Sequence, residues 1–231
     1  MIATQFADLM HSLKGGLVVS CQAPPDSPLY ASDMIAAIAE ASVFRGAVGV
    51  RIDTPEHIKA VRSKVNVPII GLWKQSFPHC EVYITPQFCH AEAIAAAGAD
   101  IIAIDGTERD RPAGETVPAI IQRIHTELGK PVMADIDTLA AAKYAADAGA
   151  DLIGTTLFGY TADTQSATPP GFALLEAMRS QLNKPLVCEG GIASPAMARK
   201  AINLGADTVV VGTAITGVDL QVIAYCKALK N

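Results

Sequence analysis

AEAIAAAGADIIAID (91–105), AAAKYAADAGADLIGTT (140–156) and AMARKAINLGADTVVVGT (196–213) follow one plan. An alanine-rich helical stretch stops at Gly-Ala-Asp, and a short apolar run follows. The glycine is a natural helix terminator because it accepts a left-handed backbone. The apolar run has the length of a strand. Between these copies lies a second pattern. NVPIIGLWK (66–74), GKPVMADI (129–136) and NKPLVCEGG (183–191) each place a proline at the head of an apolar strand, a position that needs no ladder donor.

The two patterns alternate. With GLVVSCQ (16–22) and AVGVRID (47–53) they predict eight strands, at 17–22, 47–52, 68–74, 101–106, 131–136, 151–156, 185–190 and 208–213. Amphipathic helices are expected at 33–45, 54–64, 88–97, 117–127, 138–148, 172–182, 195–204 and 218–229. Crossovers of this length join parallel strands. Eight units in 231 residues predict a single-domain α/β protein over 1–231, a (β/α)8 TIM barrel. A doubly wound open sheet is the alternative, but GLVVSCQAPPDSP lacks the glycine-rich dinucleotide turn such a sheet carries after its first strand.

Composition narrows the function. The formal net charge is −5 with no basic tract, which argues against nucleic acid as a partner. No apolar run reaches the length of a membrane span. The first ten residues carry Asp8 and no basic leader, so no secretory signal is expected. Five scattered cysteines with no C-x-x-C pair predict reduced thiols, mostly buried, and a cytoplasmic location. The five histidines form no metal-ligand pair and are expected at the surface or in loops. Neither a metal nor a cofactor is expected. The mean hydropathy of +0.30 and the apolar final helix DLQVIAYCKAL point to a homo-oligomer, a dimer or higher.

In a barrel of this kind the chemistry sits at the C-terminal strand ends. Those ends carry Gln22, Arg51 with Asp53, Lys74, Asp105, Asp135 with Asp137, Thr155-Thr156, Glu189 and Gly212-Thr213. Side chains alternate along a strand. Lys74, Asp135 and Glu189 each stand an even number of residues after their strand's proline, so all three are expected to face the barrel axis. Arg51 is expected to point inward as a fork for an oxygen ligand. Gly190-Gly191 and Gly212-Thr213 close strands seven and eight, where barrels often bind phosphate through backbone N–H groups. Ser194 is placed as the N-cap of the next helix, with Pro195 in its first position. Trp73 is expected to pack under a helix. Residues 106–111 are expected to form a solvated loop, with Arg109 or Arg111 folding over the mouth as the alternative, and FGYTADTQSATPPG (158–171) a lid that brings Tyr160 or Thr161 toward a ligand.

Several longer stretches carry a resemblance: GGLVVSCQA, GAVGVRI, IIGLWK, EVYITP, GADIIAIDGTERDRP, ADIDTLAAAKYAADAGADLIGTTLFGYT, EGGIASPAMARKAINLGAD and VVVGTAIT. In these the chain resembles the N-acetylmannosamine-6-phosphate 2-epimerases of sialic-acid catabolism. The resemblance implies a cofactor-free interconversion of N-acetylmannosamine 6-phosphate and N-acetylglucosamine 6-phosphate. It implies Lys74 as acid/base, Glu189 as a second catalytic group, and Gln22, Arg51 and Asp135 as substrate-binding residues. Phosphate would lie on Gly190, Gly191, Gly212 and Thr213. The chain departs from the family pattern at Gln75-Ser76, Gly191 and Gly217-Val218.

Removing a proton from C2 requires an open-chain sugar with an aldehyde at C1, and a base that is partly neutral near pH 7. A Schiff-base phosphosugar lyase using Lys74 and a non-catalytic phosphosugar-binding barrel are the alternatives.

Overall fold

The computed structural model describes residues 2–230. Eight parallel strands close on themselves in chain order: β1 (Leu17–Cys21), β2 (Gly49–Asp53), β3 (Ile69–Leu72), β4 (Ile101–Asp105), β5 (Val132–Asp135), β6 (Leu152–Gly154), β7 (Leu186–Cys188) and β8 (Thr208–Val211). The helices are α1 (Ile2–Leu13), α2 (Ser32–Phe44), α3 (Pro55–Arg62), α4 (Phe88–Ala96), α5 (Val117–Arg123), α6 (Leu139–Asp147), α7 (Phe172–Gln181), α8 (Pro195–Asn203), the single turn α9 (Thr213–Thr216) and α10 (Val218–Ala228). The architecture is the expected (β/α)8 barrel. Observed strands lie inside the expected ranges or within a residue of them.

The repeat has a physical reason. Each Gly-Ala-Asp aspartate sits just before an even strand and accepts the first N–H of the odd strand before it. Asp100 takes Ile69 N–H at 2.9 Å, Asp151 takes Val132 N–H at 2.8 Å, and Asp207 takes Leu186 N–H at 2.8 Å. Each also meets a basic side chain from the helix that feeds the odd strand, respectively Arg62, His125 and Arg179. A fourth copy is present. Gly46, Gly98, Gly149 and Gly205 all have φ between 101° and 109°. Val48 N–H bonds Leu17 O as Asp100 N–H bonds Ile69 O, but valine supplies no carboxylate.

The prolines fit the same logic. The carbonyls of Pro68, Pro131 and Pro185 accept N–H groups of the preceding strands, from Val50, Ile102 and Ile153, each at 3.0 Å. Their missing donors cost nothing at these strand heads. Helix starts are capped as the sequence suggests. Ser194 accepts from Met197 N–H with Pro195 first in α8, and Thr54, Thr116 and Thr138 cap α3, α5 and α6 in the same way.

Two apolar clusters set the register. The outer one, with Val50, Ile52, Ile69, Ile102, Ile104, Ile153, Cys188 and Val209, faces the helices. The inner one, with Val18, Ile70, Leu72, Ile101, Ala103, Met133, Leu152, Val187 and Val210, fills the barrel. The helix α1 was not expected. It presents Phe6, Leu9, Met10 and the fully buried Leu13 to the inner cluster, and Leu13 reaches the start of β2 beside Gly49. It therefore plugs the barrel's N-terminal end.

Three smaller expectations change. His57 and His90 are buried, His57 edge-on to Tyr30 and His90 edge-on to Trp73. Residues 106–111 are only partly solvated: Glu108 and Asp110 are exposed, but Thr107 and Arg111 are buried and Arg109 is engaged by acids described below. Only Cys21 and Cys188 are buried, whereas Cys89 and Cys226 are exposed. Trp73 packs against the outer core under α4, as expected.

Candidate active site

Continuing the inner parity toward the C-terminal strand ends brings Gln22, Arg51, Lys74, Asp105, Asp135, Thr156, Glu189 and Gly212 to one mouth. The side chains expected to converge do so. Arg51 is 1% exposed and forms the hub. Its Nη1 donates to Asp135 Oδ1 at 3.0 Å and to Glu189 Oε2 at 2.8 Å, and its Nη2 donates to Asp135 Oδ2 at 2.6 Å. The Asp135 contact is a bidentate fork, the geometry that favours arginine over lysine. Burial works against the Arg51 charge, but Asp135 and Glu189 more than offset it and hold the guanidinium protonated.

Glu189 follows β7 and is positioned from both ends. Thr155 Oγ1 accepts the Glu189 N–H at 3.1 Å and donates to the Glu189 carbonyl at 2.9 Å. The Thr156 hydroxyl lies between the two acids, 2.5 Å from Asp135 Oδ1 and 3.3 Å from Glu189 Oε2. Burial pushes the Glu189 carboxyl up to about 7, against the pull of Arg51, with the Asp135 charge adding to the rise and Lys74 and Thr156 opposing it. An acid poised there exchanges protons near neutrality.

Lys74 stands just beyond β3, and its side chain is about half exposed at the mouth. Its backbone N–H donates to Asp53 Oδ1 at 2.9 Å, its ammonium lies 3.9 Å from Asp53 Oδ2, and it donates to Gln22 Oε1. Gln22 is oriented in turn by its amide, which donates to Ser20 Oγ at 2.9 Å. Asp53, which ends β2 two residues after Arg51, serves Lys74 rather than Arg51. In the ring of eight, β3 and β7 stand opposite each other. Lys74 and Glu189 therefore flank the axis from two sides.

The glycine turns lie next to Glu189. Gly190 and Gly191 have φ of 97° and 69°. No described group accepts from either N–H. A Cβ at Gly191 would fall 2.6 Å from Pro169 Cβ, so the 158–171 loop occupies the space a larger residue would need. The ring of Tyr160 approaches Gly190. Gly212 leads into α9, whose first residue is Thr213.

Tyr83, Arg109 and Thr161 complete the mouth. Tyr83 packs on the inner cluster, and its phenol is pushed up by burial and then by Asp135. Arg109 pairs with Asp137 and with Asp163 at 2.9 Å, and reaches Glu81 at 3.5 Å. Thr161 Oγ1 donates to Asp137 at 2.7 Å, so the 158–171 loop is latched to the β5 end. Hints existed in the sequence: Thr156 ends a strand at inner parity, and Tyr83 lies in EVYITP.

Among the described residues no cluster of His, Cys, Asp and Glu is spaced to hold a metal ion, and no helix is long and apolar enough to cross a membrane.

A family model described as "Putative N-acetylmannosamine-6-phosphate epimerase" matches residues 35–231. A Synechococcus elongatus protein named as a putative 2-epimerase of that sugar phosphate is 63% identical over 222 residues, covering 95% of this chain and 96% of its own length. A namesake from Thermosynechococcus vestitus is 61% identical over 223 residues, covering 96% and 97%. The solved N-acetylmannosamine-6-phosphate 2-epimerase from Clostridium perfringens superposes with a TM-score of 0.91 at 35% identity, covering 96% of both chains. With near-complete coverage in sequence and in structure, the chain belongs to the N-acetylmannosamine-6-phosphate epimerase family.

Proposed function

We propose that this chain interconverts N-acetylmannosamine 6-phosphate and N-acetylglucosamine 6-phosphate by moving the proton at C2 from one face to the other. The observation that carries this is the placement of two proton-transfer groups, Lys74 and Glu189, on opposite strands of one mouth, with Glu189 poised at about 7. Inverting a carbon by proton transfer requires access to both of its faces, and facing strands supply it.

Once the sugar is open, Lys74 and Glu189 act on the two faces of C2. Arg51 lies against Glu189 and holds a fixed positive charge where the enediolate oxygens gather negative charge. Asp135 orients Arg51, and Gln22 orients Lys74. The phosphate rests on the N–H groups of Gly190, Gly191 and Thr213 beside Gly212, which fixes C6 at the β7–β8 rim and directs C2 toward Lys74. The whole of 1–231 acts as one barrel, in the cytoplasm and within the breakdown of amino sugars.

The working form is a homo-oligomer. Helix α10 has no buried residue, yet Val218, Leu220, Val222, Ile223 and Tyr225 are all more than half exposed. So many large apolar side chains on one exposed helix call for a cover, and a second copy supplies it.

The test is proton NMR in D2O with N-acetylmannosamine 6-phosphate and no added cofactor. Appearance of the C2 epimer with deuterium at C2, lost in Lys74→Ala and reduced in Glu189→Ala, is expected. Full activity in Glu189→Ala, or cleavage of the sugar, would overturn the proposal.

A further inference from the structure

Lys74, Glu189, Arg51 and Asp135 leave one buried carboxylate in the mouth without a task. Asp105 ends β4 on the inner parity shared by Ile101 and Ala103, and it stands opposite Asp135 in the β4–β5 ladder. It is 2% exposed. Its Oδ1 is saturated, accepting from the Thr107 N–H at 2.8 Å and the Thr107 hydroxyl at 2.6 Å. Its Oδ2 accepts from no described group. The arginines nearby are spent elsewhere: Arg111 donates to the Asp105 carbonyl and to Pro86 O, and Arg109 is held by Asp137 and Asp163.

Its position relative to Lys74 is fixed by a short strip of backbone. Lys74 forms an antiparallel bridge to Ile84, and the Ile84 carbonyl accepts the Asp105 N–H at 3.0 Å. Two strand spacings, about 10 Å, separate the two backbones. A pyranose held between them meets Lys74 at one carbon and Asp105 at its neighbour. Burial pushes the Asp105 carboxyl up, with Thr107 and the arginines opposing the rise, which suits a group that must both take and return a proton.

The substrate is a closed ring, and C2 becomes acidic only when C1 is an aldehyde. We infer that Asp105 opens the ring. Its Oδ2 takes the proton from the anomeric hydroxyl, the C1–O5 bond breaks as the C1=O1 double bond forms, and the same carboxyl passes the proton to O5, which becomes a hydroxyl. Reversal from either face of the aldehyde interconverts the α and β anomers. The protein is therefore an anomerase at C1 as well as an epimerase at C2, an inference that rests on the proposed substrate.

Exchange NMR on the two anomeric protons of N-acetylglucosamine 6-phosphate separates the steps. Wild type and Lys74→Ala should both speed anomer exchange at least about tenfold over buffer, while Lys74→Ala leaves C2 free of deuterium. Asp105→Asn should return exchange to the buffer rate and lower kcat for epimerisation by about 100-fold, the usual weight of one acid–base group. Anomer exchange at the wild-type rate in Asp105→Asn overturns the inference. So does exchange at the buffer rate in Lys74→Ala, an arm that does not depend on how Asp105→Asn folds. Wild type that epimerises without speeding exchange sinks ring opening alone. Wild type that speeds exchange but leaves C2 untouched sinks the epimerase proposal and keeps the anomerase.

Discussion

Replacing Glu189 by glutamine should make the protein more stable above neutral pH. The carboxyl ionises at about 4.5 in the unfolded chain and at about 7 in the folded one. Its folded pKa is raised, so the favourable contribution is complete below about 4.5 and is lost as pH rises through about 7. Above that point the fold carries an ionised acid that it holds less well than water does. At about 1.4 kcal/mol per unit, the gap is worth roughly 3 kcal/mol. Glutamine removes the charge and keeps an oxygen for the Arg51 Nη1 and Thr156 contacts, and Arg51 retains its fork to Asp135. Urea unfolding followed by circular dichroism at pH 4.5 and pH 8.5, on both proteins, isolates Glu189 and the Arg51–Asp135 pair it touches, because titrations elsewhere in the chain are shared. The expected gain for Glu189→Gln is about 3 kcal/mol at pH 8.5 and only a small fraction of that at pH 4.5, with loss of epimerase activity. A difference that does not change with pH, or that favours wild type more as pH rises, would mean that Arg51 outweighs burial and would refute the reasoning.

Asp151→Ala removes the bonds to Val132 N–H and His125 at the end of the barrel away from the mouth. It should cost about 1–3 kcal/mol in urea unfolding and leave kcat within about twofold. Gly191→Ala forces a left-handed alanine against Pro169, at about 1 kcal/mol or more. It should lower Tm and raise KM for the phosphosugar; an unchanged KM would remove Gly191 from the phosphate site. Ile223→Asp with Tyr225→Asp should convert the oligomer to a monomer in sedimentation velocity, and a monomeric wild type would refute the assembly.

Much of the barrel is legible because its signals are local. A glycine ends a helix and a proline begins a strand, and both act within a few residues. The fourth copy of the repeat hides because Val48 replaces the aspartate while the backbone is kept. Helix α1 has no repeat to announce it, although Phe6, Leu9, Met10 and Leu13 carry helical spacing. In the site, parity places Lys74, Asp135 and Glu189 on the axis, but it cannot pair side chains across a barrel. That Arg51 grips both acids, and that Asp53 serves Lys74, depends on strands far apart in sequence. The same blindness explains residues 106–111. A run of charges looks solvated until Asp137 and Asp163 arrive from elsewhere to cover Arg109.

The aspartate latches bear on how such a chain arose. Each latch joins a helix, the odd strand it feeds and the start of the next strand, so both of its ends lie within one quarter of the barrel. No latch spans two quarters. A gene segment encoding one quarter thus carries its own fastening, and duplication in tandem adds fastened pieces without new long-range bonds. The chain should accordingly tolerate being cut between Asp105 and Val117, with the two halves expressed separately and reassembling into a working barrel.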